Sequence, residues 1–508
     1  MDKPVALAEL FRRAGVAPLT SVPDSLTVNG VVESSADALP GALFVARKGE
    51  THDGHRFLAD AARRGASAAV VERAPASPPA IPIVRVANSR EALGRLCAAF
   101  HGFPSEKLLL IGVTGTDGKT TTTHLTAHVL RAGGRRTAVI SSVGSEIDGG
   151  HYTTGNTTPP PPLLQRLLAD AAASGNEAVV MEVSSHSVVQ HRLEGCRFRG
   201  GVLTNVAADH LELHASLKDY RAAKKRFFRH YVAAEGQDDP FQAINMDDAV
   251  GRSLRSLKGV RTHLYGLAPG CPVRAEEISS AKRRIQFRLV TPQGSVRVAL
   301  ALTGTYNVTN ALAAASAGLA CGVPLEGIRE GLESFGGVAG RFAYVECGLP
   351  FDVVIDYAHT PQAVRTVAEE GRRLTAGRLI AVFSAPGGRW VQKRAEMGRL
   401  VGERADYAVV TTDNPGHEDP GDIAREIVRG LKRRAPAEGY AVELDRARAI
   451  EAALEAARPG DLVLLMGKGH EEYQIIGDRR VPFSEREAVL RYAERWKRRS
   501  LREAALKD

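Results

Sequence analysis

From Thr114 to Thr121 the chain reads Thr-Gly-Thr-Asp-Gly-Lys-Thr-Thr, preceded by the apolar run Leu108 to Val113 and followed by a helix-prone segment to Leu125. A strand that turns through glycines into a helix N-terminus leaves unpaired backbone N–H groups converging on one spot, where a polyphosphate binds. Gly112, Gly115 and Gly118 allow close backbone approach, Lys119 supplies a cation for the outer phosphates, and the Thr120 hydroxyl can join a Mg2+ shell. Gly115, Thr116, Asp117, Gly118, Lys119, Thr120 and Thr121 are therefore the expected cradle for a nucleoside triphosphate. Gly115 stands only three positions before Gly118, tighter than the general pattern of such loops, which points to a particular subgroup of nucleotide-binding proteins.

Other groups fall where a doubly wound sheet presents its chemistry, at strand carboxyl ends. Met181-Glu182-Val183-Ser184-Ser185-His186 puts Glu182 at a strand tip, within reach of a metal held by Thr120. Thr204-Asn205 ends another strand, and Asp209-His210 follows; this histidine reads equally as a metal ligand or as a structural residue. Asn156-Thr157-Thr158-Pro159 and Gln190-His191-Arg192 offer uncharged donors and a cation for a sugar pyrophosphate or a carboxylate. Lys224, on a helix beginning near Leu217, reads on pattern alone as a surface lysine. Gly340-Arg341-Phe342, Asp356-Tyr357-Ala358-His359-Thr360-Pro361, Lys393-Arg394, Asp413-Asn414-Pro415 and Gly467-Lys468-Gly469-His470-Glu471 supply cations for a γ-phosphate and polar groups for a small zwitterion.

The elements that must position these residues form an α/β protein of several domains, since 508 residues exceed what one core holds. Residues 1–104 alternate short strands and helices. Residues 105–336 carry buried-looking strands at Leu108 to Val113, Thr137 to Ser141, Ala178 to Val183 and Val202 to Asn205, the pattern of a parallel sheet. After a glycine-rich hinge, Gly336 to Gly340, residues 337–508 carry strands at Val353 to Tyr357, Leu379 to Ser384, Tyr407 to Thr412 and Leu462 to Met466. The proline run Pro159 to Pro162 is expected to end a loop. A terminal helix with Val489, Leu490, Tyr492, Ala493 and Trp496 on its apolar side begins at a capping box, Ser484 with Glu487.

The five cysteines are scattered without CxxC spacing, which argues against a disulfide framework or a zinc site. The net charge of +9 comes from 67 basic and 58 acidic residues that do not interleave with aromatics; an anionic small substrate accounts for it without nucleic acid. No run reaches the length of a membrane span, and a cytoplasmic protein is expected.

Together these residues resemble the Mur ligase family, ATP-dependent amide-bond-forming enzymes of peptidoglycan synthesis, over essentially the whole chain. Leu43-Phe44-Val45-Ala46, Gly49, Asp53-Gly54-His55, Asn156-Thr157-Thr158, Met181 to His186 and Asp356 to Pro361 are similar to the MurE branch, which adds the third amino acid of the stem peptide. The resemblance implies three domains: an N-terminal UDP-muramoyl-binding domain, a central P-loop ATPase-like parallel sheet, and a C-terminal Rossmann-like domain that binds the incoming amino acid and swings onto the centre. It implies that ATP phosphorylates the D-glutamyl carboxylate of UDP-N-acetylmuramoyl-L-alanyl-D-glutamate and that the amine of a diamino acid, diaminopimelate or lysine, attacks the acyl phosphate. It further implies Mg2+ held by Thr120, Glu182, His210 and a carbamylated Lys224, with Lys119, Lys224 and His210 as catalytic groups. Asn307, Arg341, Asp356 and Lys393 fall to ATP, and Ser34, Asn156, Thr157, Thr158, Ser184, Gln190 and Arg192 to the muramoyl dipeptide. Arg389, Asp413, Asn414, Gly467 and Glu471 fall to the amino acid. A monomer working on small molecules is expected, without nucleic acid or membrane insertion.

The chain departs from the family at several positions. Gly416 stands where diaminopimelate-adding members usually have arginine after Asp-Asn-Pro, which pushes toward a lysine-like side chain, although His417 or another cation could substitute. Gly388 and Trp390 flank Arg389, Ala395 follows Lys393-Arg394, Glu33-Ser34-Ser35 replaces Asp-Ser-Arg, and Ala207-Ala208 precede Asp209-His210. Two other readings therefore stand beside the first: a ligase of this type acting on a substrate outside the cell wall, and a non-catalytic relative that binds the precursor.

Overall fold

The structure is a computed structural model that describes residues 4–49, 52–75, 77, 79–207, 214–388, 391–432 and 439–505, with side chains through 501. Among them most strands gather into three successive α/β sheets, with a three-stranded meander and two two-stranded ribbons beside them. The first has four parallel strands, Gly30–Val32, Ala42–Val45, Ala68–Val71 and Ile83–Arg85, in sequence order. Its two middle strands are buried along their whole length, which is why they are continuous apolar runs and not alternating ones.

The second sheet centres on Leu109–Thr114, with Ala178–Glu182 then Thr137–Ser141 on one side and Gly200–Leu203, Phe241–Asn245 and Arg261–Tyr265 on the other, all parallel. The period of two divides its side chains. Ile111 and Val113 pack with helices Lys119–Ala132 and Tyr306–Ala320 on one face. Leu110 packs with helix Pro161–Ala173, Phe198 and Phe227 on the other. Two antiparallel strands, Gly144–Ile147 and Gly150–Tyr152, extend one edge.

The parallel pattern expected for the middle of the chain is not its whole content. Arg274–Ala281, Arg284–Thr291 and Gly294–Leu300 form a separate antiparallel meander. Ile285, Phe287 and Leu289 face a shared core while Arg284, Gln286 and Arg288 point away from it. Its tip meets the last third of the chain, where Lys282 pairs with Asp352, Arg283 with Glu346, and Arg373 Nη2 donates to Ser280 Oγ over 2.8 Å.

The third sheet runs Ala343–Tyr344, Asp352–Asp356, Leu462–Met466, Leu379–Phe383, Tyr407–Val410 and Tyr440–Val442, parallel except for the first strand. Helices Pro361–Leu374, Lys393–Gly402 and Pro420–Leu431 cover one face, and Arg446–Ala456 with Glu485–Ala505 the other. Glu487 N–H donates to Ser484 Oγ over 3.3 Å at the head of the terminal helix, and Val489 and Ala493 are its buried contacts.

The proline run opens helix Pro161–Ala173 instead of merely closing a loop, because the first helical positions lose nothing by lacking N–H donors. Four of the cysteines are buried and Cys321 is half-buried, all as free thiols. Among the described residues no helix is long and apolar enough to cross a membrane.

Candidate active site

The phosphate loop sits at the carboxyl end of the central strand, Leu109–Thr114, and opens helix Lys119–Ala132. Four threonines in its first turns are poor intrinsic helix formers, yet Thr120, Thr121, Thr122 and Thr123 are all buried, so packing decides the local structure. The next strand's end clasps the loop. Thr116 N–H donates to Asn205 O over 2.8 Å, Asp117 N–H to Asn205 Oδ1 over 3.0 Å, and Thr204 Oγ1 to Asp117 O over 2.7 Å. A Cβ on Gly115 would lie 1.7 Å from Thr204 Oγ1, and one on Gly118, at φ +79°, 2.4 Å from Asn310 Oδ1. The Gly115→Ala protein is accordingly expected to lose about 1–3 kcal/mol of stability through overpacking. A lowered unfolding midpoint together with a raised KM for ATP checks this.

Lys119 Nζ folds over the loop and donates to Gly115 O at 3.1 Å and Thr116 O at 2.8 Å. Lys224, expected at the surface on pattern alone, is 1% exposed. Its Nζ donates to Gly115 O over 2.7 Å and lies 4.7 Å from the Tyr220 ring centre. Tyr220 OH in turn meets Thr116 Oγ1 at 2.9 Å.

Glu182 is completely buried, and its carboxylate accepts from Ser142 N–H at 2.8 Å and Ser142 Oγ at 3.1 Å. Ser142 Oγ also meets Thr157 Oγ1 at 3.2 Å. His210 and Arg389 lie outside the described residues. Among those described, no group of three or more His, Cys, Asp or Glu converges as a metal site. The oxygens of Thr120 and Glu182 are hard donors of the kind Mg2+ takes, so the residues present fit that ion.

Two chains of contact join this loop to the third sheet. In the first, Arg341 Nη2 donates to Thr120 Oγ1 over 3.2 Å, the Arg341 guanidinium stacks 4.6 Å over the Tyr357 ring, and Tyr357 OH donates to Glu471 Oε1 over 3.3 Å. In the second, His470 Nε2 meets Ser142 O at 3.0 Å, on the residue whose N–H and hydroxyl donate to Glu182. Burial, reinforced by the charge of Arg341, depresses the His470 imidazole to about 4.

Asp356, at a strand tip, accepts from Phe342 N–H and Ala358 N–H, each over 2.7 Å. Burial raises its carboxyl to about 6, with Asp117 adding and Arg341 and the two N–H groups opposing. The folded protein therefore holds this proton where the unfolded chain, with an ordinary value of 3.8, releases it. That stabilisation is complete below the unfolded value and is lost as pH rises through about 6. The unfolding midpoint of the wild type minus that of Asp356→Asn should thus fall between about pH 4 and pH 7, and a flat difference would contradict the assignment.

Asn307 is buried in helix Tyr306–Ala320, where its Nδ2 donates to Thr303 O over 2.7 Å and its Oδ1 accepts from Asn310 Nδ2 over 2.9 Å. Lys393 is buried at the head of helix Lys393–Gly402.

The far end of the first chain is a polar cluster. Lys468 is fully buried, and its Nζ donates to Glu471 Oε2 at 2.6 Å and Asn414 Oδ1 at 2.9 Å. Asn414 Nδ2 donates to the same Glu471 oxygen over 2.9 Å. Burial works against ionisation of Glu471, but the charge and hydrogen bond of Lys468, with Asn414, outweigh it and hold the carboxyl below its usual value. Asp413 is buried beside Gly467, and its Oδ1 pairs with Lys468 Nζ at 3.7 Å, too long for a hydrogen bond. Lys468 is thus the buried cation that balances both Asp413 and Glu471 beside the Asn414 amide.

Toward the first sheet, Arg192 Nη1 donates to Thr158 O over 2.8 Å and Nε to Gln190 Oε1 over 3.0 Å. Thr158 Oγ1 donates to Glu182 O over 2.9 Å and accepts from Ser184 N–H over 3.0 Å, so these residues and Glu182 share one framework. Gln190 and Arg192 line a small cavity with Glu33, Arg47 and Arg90 of the first module. Ser34, next to Glu33, accepts from Ala36 N–H over 3.2 Å as a cap. Asn156 follows Gly155 in the loop before that framework, and its carbonyl accepts from Thr154 Oγ1 over 2.9 Å.

Family models agree with this architecture in all three parts. The Mur ligase family catalytic domain matches residues 27–101, the Mur ligase middle domain 113–318, and the Mur ligase glutamate ligase domain 340–469. A UDP-N-acetylmuramoyl-L-alanyl-D-glutamate--2,6-diaminopimelate ligase of Geobacter metallireducens is 38% identical over 479 residues, 92% of this chain and 94% of the relative. The chain belongs to the Mur ligase family. A UDP-N-acetylmuramyl-tripeptide synthetase of a Roseiflexus species is 40% identical over 487 residues, 92% of this chain and 95% of the relative. A solved structure of a UDP-N-acetylmuramoyl-L-alanyl-D-glutamate--2,6-diaminopimelate ligase superposes with a TM-score of 0.67 at 27% identity, over 97% of this chain and all of that one. For a Mur ligase the chain buries more charge than its motifs announce. Lys468, Arg394 and Arg446 all have 0% of their side chains exposed. Arg394 grips Glu418 with both terminal nitrogens, and Arg446 bonds Glu485 with carbonyls of Thr412 and Met466. Only their neighbours' motif character could have drawn attention to them.

Proposed function

We propose that this Mur ligase is of the MurE type, an ATP-dependent ligase that joins 2,6-diaminopimelate to UDP-N-acetylmuramoyl-L-alanyl-D-glutamate in peptidoglycan precursor synthesis. The observation that carries the reading is the unbroken run of contacts from Thr120 through Arg341 and Tyr357 to Glu471, Lys468 and Asn414. It brings a triphosphate loop and a zwitterion-binding corner into one site. The names of relatives sharing nearly the whole chain favour diaminopimelate, against the lean toward lysine drawn from Gly416 alone.

A carboxylate is a poor electrophile until phosphorylated, so this site's task is positioning and charge neutralisation. Lys119 and the loop N–H groups hold the β- and γ-phosphates, and Arg341 approaches them from the third module. Thr158, Ser184, Gln190 and Arg192 orient the D-glutamyl end of the muramoyl dipeptide, and Ser34 and Asn156 its nucleotide and sugar side. Asn307 and Asp356 serve the adenosine end of ATP, and Lys393 is the C-terminal cation that approaches the nucleotide. Asp413, Asn414, Gly467 and Glu471, with Arg389, hold the amino acid so that its amine meets the acyl phosphate. Thr120, Glu182, His210 and a carbamylated Lys224 are the residues that would hold Mg2+, which would neutralise phosphate charge. The proposed division of labour is 1–104, 105–336 and 337–508, in a cytoplasmic monomer.

The test supplies the protein with ATP, Mg2+, the nucleotide-linked dipeptide and diaminopimelate, and follows phosphate release and tripeptide mass. Stoichiometric phosphate and tripeptide are expected. No turnover with diaminopimelate, lysine or ornithine would defeat the reading.

A further inference from the structure

The hairpin Tyr473–Ile476 and Arg479–Pro482 leans on the amino-acid corner. Ile475 N–H donates to Asn414 Oδ1 over 3.0 Å, and Gln474 Nε2 donates to Asp413 O over 3.0 Å. The loop that follows Asn414 pairs with the same hairpin, Gly416 N–H to Ile475 O at 3.1 Å and Gly477 N–H to Gly416 O at 2.7 Å. Gly416 has φ +58°, and a Cβ there would meet nothing within 4 Å.

Tyr473, Ile475 and Arg480 share one face of the hairpin, since Ile475 pairs with Arg480 and alternate residues face alike. The Arg480 guanidinium lies 4.7 Å from the centre of the Tyr473 ring, and Lys468 Nζ lies 5.3 Å from the same centre. One aromatic ring thus joins Arg480 to the cation that organises Glu471 and Asn414. Burial raises the Tyr473 hydroxyl above its ordinary value, with the charges of Glu471 and Asp413 adding and that of Arg480 opposing.

The cations of this corner differ in what they are already bound to. Lys468 is committed to Glu471 and Asn414, Arg394 to Glu418 and Glu426, Arg446 to Glu485, and His417 to Asp478. Arg480 is exposed and has no carboxylate partner among the described residues; the Tyr473 ring is its contact. A cation held in place by stacking and left without an anion is prepared for a bidentate carboxylate.

We infer that Arg480 recognises the distal carboxylate of the incoming diamino acid, making the hairpin a specificity element of the amino-acid site. The inference rests on the proposed function, which supplies a substrate with acids at both ends of an aliphatic chain. The near end of the substrate lies against Asp413, Asn414 and Glu471, which Lys468 holds together, and the far carboxylate crosses the Tyr473 edge to the guanidinium. An arginine at this place does for the second acid what no side chain at Gly416 can do.

The test measures KM for diaminopimelate and for ATP in the full-length enzyme, as wild type, Arg480→Ala and Arg480→Lys. A charge-assisted hydrogen bond to a carboxylate sets the scale. In Arg480→Ala the diaminopimelate KM is expected to rise at least about tenfold while the ATP KM stays within about twofold, and Arg480→Lys to recover part of the loss. An unchanged diaminopimelate KM, or KM values for both substrates rising together, overturns the inference while leaving an active wild type to support the ligase reading. A wild type inactive on every diamino acid defeats the ligase reading itself, and the inference with it.

Discussion

Lys119→Ala is expected to lower turnover by at least about 10²-fold at saturating ATP, the cost typical of removing one preorganised charge from a developing anion. Lys119 is the only side chain of the loop itself that brings a positive charge, and it lies over the turn whose N–H groups converge at the head of helix Lys119–Ala132. Among the described residues its ammonium bonds only to loop carbonyls 2.8 and 3.1 Å away, so its removal should leave the fold's melting behaviour nearly untouched. Phosphate release and unfolding midpoints, measured side by side, separate the two effects. A variant that turns over at the wild-type rate would show that the triphosphate is held elsewhere.

Lys224→Ala is the second large effect, expected on the order of 10³-fold if the side chain carries a carboxylate that helps hold Mg2+. The amine is 1% exposed and fixed between Gly115 O and the Tyr220 ring, a setting in which a surface role is out of the question. Carbamylation changes that group from donor to acceptor by adding carbon dioxide to the amine. Activity in buffer stripped of carbon dioxide should therefore decline and return on adding bicarbonate, while Lys224→Arg stays inactive throughout. Bicarbonate-independent activity in the wild type would exclude the modification and leave Lys224 as a plain cation of the loop.

The parts of this molecule that could be read from its letters are those whose environment is written locally. Thr137–Ser141 and Leu462–Met466 have the limits expected of them, because a strand buried along its whole length carries a continuous apolar centre that marks it plainly. The phosphate loop is equally local, since strand, glycines and helix start are consecutive. The meander is different: Ile285, Phe287 and Leu289 alternate with Arg284, Gln286 and Arg288, a half-polar pattern that signals less strongly than a continuous run. Lys224 reads as a surface residue because its burial is made by Gly115, 109 positions away. Arg394 and Lys468 read in the sequence as cations for a γ-phosphate and Arg446 carries no motif, yet Arg394 is bound to Glu418 and Glu426 and Lys468 to Glu471, because a buried charge is recognised by partners that only the fold supplies. Arg480 was invisible too, since an arginine in a short polar hairpin is ordinary until its neighbours are seen.

Gly340 ends the glycine-rich segment between the second and third modules, and a Cβ on it would lie 2.3 Å from the Gly469 carbonyl carbon. Tyr357 N–H donates to Gly340 O over 2.9 Å at the same place. Gly340 and the corner Gly467 to Glu471 are therefore packed as one body, so any turning of the third module about this segment carries that corner with it. A bulkier residue at 340 would wedge that joint, and the amine and the phosphate would then miss one another even with every ligating side chain intact.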